Sequence, residues 1–188
     1  MFRTALPVVA CASVLLAGCT QTTDALRSLN WANFAYPTSC FAASSARQLV
    51  HVHNREAVNH YGDRFFARTP VYGQLATSSG SAGHARAAAA VVLGCVRATG
   101  APDEVAVYVN NHGPSLVGFA LTDTDDQHVD HVTFSHGDLV VVARGYSAGA
   151  PQCCPDVWVT SHWRLSGTTL ARVDVQRRSS LDGSPSAS

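Results

Sequence analysis

Four groups of residues in this chain have types and spacings that chemistry can use. Gly145-Tyr146-Ser147-Ala148-Gly149 matches G-x-S-x-G, the sharp strand-to-helix turn that exposes a nucleophilic serine. Asp156 and His162 follow in the order such a nucleophile would need. The chemistry also needs a helix directly after the serine, whose N-terminus helps build an oxyanion hole. Ala150-Pro151-Gln152-Cys153-Cys154-Pro155 cannot be that helix. Asp156 and His162 also stand too near Ser147 to come from separate strand ends. The segment therefore reads as a structural loop and no catalytic residue is assigned, with a small secreted serine hydrolase using Ser147 as the alternative.

The second and third groups are metal-ligand types. His51 and His53 stand two apart, as imidazoles chelating from one strand face would, and His128, His131 and His136 cluster in sequence. Alternation sets His51 and His53 opposite Val50 and Val52, which is the pattern of a solvent-facing row. Asp123-Thr124-Asp125-Asp126, with Asp130 downstream, resembles the start of a calcium loop. Gln127 and His128 occupy the positions that want Asp or Asn and then Gly, and no Glu closes the loop. No metal and no cofactor is expected, and metal binding through His51/His53 or the Asp123–Asp130 loop stays an alternative.

The fourth group is the cysteines. Met1-Phe2-Arg3 supplies a positive charge, and Thr4 to Ala17 is an uncharged, mostly apolar run of about 14 residues, short of the roughly 20 that span a bilayer. It ends in Leu16-Ala17-Gly18-Cys19, which resembles a bacterial lipoprotein signal. That resemblance implies diacylglyceryl transfer to the Cys19 sulfur and cleavage between Gly18 and Cys19. Cys11 leaves with the signal, so Cys40, Cys95, Cys153 and Cys154 remain, an even number for an oxidising compartment. Three pairings exist. Cys40 with Cys95 plus a vicinal Cys153–Cys154 bridge is favoured, although adjacent Cα atoms sit near 3.8 Å, below the usual disulfide range, which makes such a bridge strained and reducible. The competing pairings join Cys40 and Cys95 separately to Cys153 and Cys154. A zinc site would lack paired C-x-x-C spacing.

These groups must be held by a fold, and composition bounds it. The 188 residues suit one domain. Thirteen basic residues balance thirteen acidic ones, so no excess charge favours a nucleic acid partner. With 46% apolar and 14% charged residues, the chain is too hydrophobic to be disordered. Period-two patterning dominates. Val105, Val107 and Val109 alternate with Ala106 and Tyr108, Asp138 to Arg144 is apolar on both faces, and Val157, Val159 and Trp163 share a face. Ala171, Val173 and Val175 fall on one side of the last run. His136-Gly137 reads as a two-residue hairpin turn. Ala89 to Val96 reads as a strand despite its alanines. The expected fold is mainly β (all-β or α+β), a single-domain antiparallel meander of short strands with disulfides. Residues 1–18 would be the signal peptide, 19–29 a tether, 30–176 the globular domain and 177–188 a disordered tail. Trp31, Trp158 and Trp163 read as core anchors, with an aromatic ligand surface as the alternative.

Trp31-Ala32-Asn33 with Tyr36-Pro37 and Cys40, Cys95 closing an apolar run, Asp103-Glu104-Val105, Gly145-Tyr146, and Gln152-Cys153-Cys154-Pro155 before Trp163 occur in an order that resembles actinobacterial cell-envelope lipoproteins of the LppP/LprE kind. Relatives carry an acidic, glycine-rich segment where this chain has Gly73-Gln74-Leu75-Ala76-Thr77-Ser78-Ser79-Gly80, without a carboxylate. The resemblance implies a lipid-anchored protein on the extracytoplasmic face of the cell membrane. Its partners would be the membrane, through Cys19, and an envelope ligand or protein whose chemistry the family does not define.

Overall fold

The computed structural model describes residues 25–41, 46–77, 85–96, 103–122, 127–151 and 153–179. Cys11, Cys19, Asp123 to Asp126 and the residues from 180 onward lie outside them. The described chain is mainly β, with twelve strands in antiparallel sheets. β1 (Ala35–Thr38) and β2 (Gln48–His51) form a two-stranded hairpin preceded by a single 3₁₀ turn at Trp31–Asn33. The next six strands make one sheet: β3 (Glu56–Val58), β4 (Arg64–Ala67), β5 (Val71–Leu75), β6 (Arg86–Val96), β7 (Glu104–Asn110) and β8 (Pro114–Leu121). The last four, β9 (His128–Ser135), β10 (Asp138–Gly145), β11 (Val157–Ser166) and β12 (Thr169–Ser179), form a meander.

β6 is the axis of the larger sheet. β4 pairs with its C-terminal half and β5 with its N-terminal half, both along one edge, while β7 occupies the other. Ala88, Ala90 and Val92 of β6 join Val105, Val107 and Val109 of β7 in a core shared with Leu139, Val141 and Ala143 of β10. Ala89, Val91 and Leu93 face the other way and pack on Trp31, Tyr36, Val50 and Val52. The molecule is thus layered: hairpin and N-terminal segment, six-stranded sheet, four-stranded sheet. Strand rather than helix wins over the alanines because β6 is buried on both faces, where close sheets leave room only for small side chains. The strand starts at Arg86, three residues before the expected Ala89. A Cβ at Gly73 would overlap the Phe134 ring that crosses it from β9.

Turn chemistry follows the residues. β9 and β10 are joined by His136 (φ 51°) and Gly137 (φ 83°), the left-handed pair that a two-residue hairpin requires. Cys40 and Cys95 form a disulfide with Cα atoms 5.6 Å apart, tying the end of the first hairpin strand to β6.

Four expectations are corrected. The tether does not extend to residue 29: residues 25–27 are helical, Leu26 is buried at 1% exposure, and its carbonyl accepts the Trp31 indole N–H at 2.8 Å. Polar composition hid one leucine with enough apolar area to be drawn into the core. The tail does not begin at 177, because β12 pairs Ser179 with Val157. Nor do Ala171, Val173 and Val175 share a face. A bulge slips the register so that Ala171 lies opposite Arg164 and Val175 opposite Ser161, three residues apart on β11 and therefore on opposite sides. The strands also run longer than expected, to 11 residues in β6 and β12.

The disulfide closes 55 residues of chain, worth about 4 kcal/mol in the chain-entropy view. A Cys40→Ser/Cys95→Ser variant should lose about that free energy, read from equilibrium urea unfolding, with a steeper slope because its unfolded chain is freed to expand.

Candidate functional site

The loop from Gly145 to Val157 carries the serine motif and the paired cysteines. Its neck is closed by Asp156, whose carboxylate accepts the Ser147 backbone N–H at 2.7 Å and also the Ser147 hydroxyl. The Asp156 backbone N–H donates to the Gly145 carbonyl at 3.1 Å, and the Ala150 N–H to the Ser147 carbonyl at 3.0 Å. Those donors hold the Asp156 carboxyl below its ordinary range, the Ser147 hydroxyl first and its N–H second. The clamp is therefore at full strength above the ordinary Asp range and is lost as pH falls through the lowered value and the carboxyl takes a proton. At the tip Cys153 and Cys154 are both exposed, Cα atoms 3.8 Å apart, with their sulfurs facing each other.

This geometry does not assemble a triad. A nucleophilic serine gives its proton to an imidazole that the carboxylate orients; here serine and carboxylate bond directly. His162 lies on β11 opposite Val140, five strand positions beyond Val157, or roughly 16 Å along extended chain. Its Nδ1 sits 3.4 Å from Asp138, whose carboxylate also takes the Arg164 guanidinium. A turn at residues 148–149 stands where the helix would have to begin.

His51 and His53 are exposed while Val50 and Val52 are buried, so the alternation read from the sequence is the alternation of the hairpin. Asp130 is exposed on β9, whereas the rest of the acidic loop falls outside the described residues. Among the described residues no three His, Cys, Asp or Glu side chains are grouped as metal ligands. The tryptophans separate. Trp31 is buried with Phe34, Tyr36 and Tyr108, Trp163 packs on the inter-sheet core, and Trp158 sits beside Arg144. They make no common surface. Burial raises the Tyr36 and Tyr108 hydroxyls well above the ordinary phenol range.

The polar groups that matter most to the architecture were not singled out from the sequence as functional residues. Asp103 and Glu104 are both buried at the head of β7. Glu104 accepts the Thr38 hydroxyl at 2.6 Å and the Arg47 guanidinium at 2.9 Å, fastening the hairpin to the large sheet. Arg47 also lies over the Phe119 ring at 3.8 Å. Asp103 accepts the Val129 N–H at 2.9 Å and faces Arg68 at 3.4 Å, while Arg68 reaches the Val129 carbonyl at 3.2 Å. That network joins the large sheet to the start of β9. The one hint was two adjacent carboxylates heading an apolar strand, and residue type argued against it, since Asp and Glu are ordinarily exposed and are buried only when paired.

Burial raises the Asp103 carboxyl, partly opposed by the Val129 N–H and by Arg68. Its protonated form is favoured by folding, so this contribution is full below the ordinary value of 3.8 and is lost as pH rises through the raised one. An Asp103→Asn variant keeps an acceptor for Val129 and should lose that slope, so its stability relative to the parent should improve as pH rises above about 4. Asp103→Ala leaves the Val129 N–H unpaired and should cost about 2 kcal/mol. Thermal unfolding of both variants from acid to neutral pH measures the two effects.

Comparison of the chain with protein-family models, with curated proteins and with solved structures finds no match, so the functional reading rests on this chain's own residues.

Proposed function

We propose that this chain is a membrane-anchored extracytoplasmic lipoprotein whose β-rich domain serves as a non-catalytic binding or structural module of the cell envelope. Leu16-Ala17-Gly18-Cys19, directly after a charged start and a short apolar run, carries the reading. Each buried CH₂ of an acyl chain contributes about 0.8 kcal/mol, so two chains on Cys19 hold the protein at a membrane where one would not.

Three further observations support it. A disulfide closing 55 residues is a bond that persists outside the reducing cytoplasm. Leu26 is fixed in the core, so only six peptide steps separate Cys19 from Ala25, a reach of at most about 22 Å. A leash that short keeps the domain against the bilayer surface, where its ligand or partner would have to be met. The order of segments resembling LppP/LprE lipoproteins agrees with the same placement. The Ser147 hydroxyl is engaged by Asp156 rather than by an imidazole, which favours a loop over a nucleophile.

Cells expressing the chain and fed radiolabelled palmitate should incorporate label, and Cys19→Ala should abolish it and release the protein from the membrane fraction. Absence of label in the parent, or identical maturation and partitioning of Cys19→Ala, would remove the anchor. A serine-directed fluorophosphonate should leave the purified protein unmarked. Marking that disappears in Ser147→Ala would instead support hydrolysis.

A further inference from the structure

The two cysteine pairs differ in every property that governs exchange. Cys40 is 4% exposed, and its sulfur lies against the Arg64 carbonyl, 3.9 Å away. Its bond to Cys95 spans 55 residues, so opening it frees a long stretch of chain. Cys153 and Cys154 are exposed at the tip of a surface loop and separated by one peptide step. A bond between neighbours restricts almost none of the unfolded chain, so the fold gains little from it and loses little when it opens. A thiolate must reach a sulfur to attack it, which solvent permits at the tip, while burial blocks Cys40 and leaves Cys95 only half-exposed.

The loop is also built to survive opening. Its neck is held by Asp156 on Ser147 and by the Asp156 N–H on Gly145, and the Cys154 N–H donates to the Pro151 carbonyl at 3.1 Å. None of these contacts involves a sulfur. The two thiols of a reduced tip therefore stay adjacent and ready to close again.

We propose that Cys153 and Cys154 form a vicinal disulfide that is a reversible thiol–disulfide exchange site, reacting with dithiol reductants while Cys40–Cys95 stays intact. One thiolate of the reductant attacks either sulfur, making a mixed disulfide and releasing the other cysteine as a thiolate, which takes a proton. The reductant's second thiol gives up its proton and displaces the remaining cysteine, leaving an oxidised reductant and two protein thiols. Two electrons and two protons pass from reductant to loop, and an oxidant of the same disulfide class reverses the transfer. The reduced pair, one peptide apart, also suits a trivalent arsenical: phenylarsine oxide forms two As–S bonds and releases water.

The test uses the purified full chain, its free thiols blocked first, then graded dithiothreitol, a second distinguishable alkylating agent and peptide mass spectrometry. Cys153 and Cys154 should carry only the second label and acquire it at about tenfold lower reductant than Cys40 and Cys95. In a parallel sample reduced at the same level, freed of dithiothreitol and left unalkylated, phenylarsine oxide should add once per chain, and Cys153→Ser should abolish the adduct. Cys153→Ser/Cys154→Ser should keep the parent's urea midpoint, which shows that the pair is dispensable to the fold. Blocking of Cys153 and Cys154 before any reductant, simultaneous opening of both pairs, or earlier opening of Cys40–Cys95 would overturn the proposal.

Discussion

β6 is pressed from both sides, and the architecture is arranged around that constraint. A strand with layers on each face can expose no side chain to water, so every residue from Ala87 to Leu93 is buried. The alternation that separates faces in an ordinary antiparallel strand becomes a division between two cores, Ala88, Ala90 and Val92 toward β10, Ala89, Val91 and Leu93 toward the hairpin. Small side chains let both layers approach. Phe134 settles over Gly73, and Phe66 covers Gly94.

Three layers must also be held in register, and apolar contact does not specify register well. Buried charge does it here. Asp103, just before β7, and Glu104, its first residue, are consecutive, so their side chains leave the extended chain on opposite faces. One engages the strand start at Val129 in the far sheet, and the other the Thr38–Arg47 end of the hairpin. A single dipeptide thus orients both neighbouring layers. Burying these carboxylates is unfavourable in itself, as the raised Asp103 carboxyl records, and the loss is offset by specific donors on each side. The Cys40–Cys95 bond works at the same junction by covalent means, fixing the hairpin to β6.

The chemistry-bearing residues hang from the edge of this junction, since Gly145 at the loop's neck packs beside Gln127, whose carbonyl accepts the Asp103 N–H. Ser147, Asp156, Cys153 and Cys154 share one surface loop whose neck is closed by hydrogen bonds independent of the sulfurs. The two sulfur pairs consequently occupy different physical regimes in one chain, one with Cys40 buried and Cys95 half-buried and bound to the stability of the fold, the other exposed and nearly uncoupled from it. The proposed membrane anchor lies at the opposite end of the chain, a short reach from the buried Leu26.

Much of the fold could be read from the amino-acid order. Strand type, the His136-Gly137 turn, the outward His51 and His53 and the two-faced burial of 139–143 all follow from side-chain period and from which residues tolerate positive φ. Those are local properties, set by neighbours in the chain. The signal-like N-terminus is likewise a matter of composition over nineteen residues. Other features depended on contacts that no window of sequence contains. The capture of Leu26 by Trp31, the bulge at Val173, the pairing of His162 with Asp138 instead of Asp156, and the division of labour between Asp103 and Glu104 arise only when distant strands meet. Period and propensity say which residues seek burial; the packing of one sheet on another decides where each polar group finds its partner.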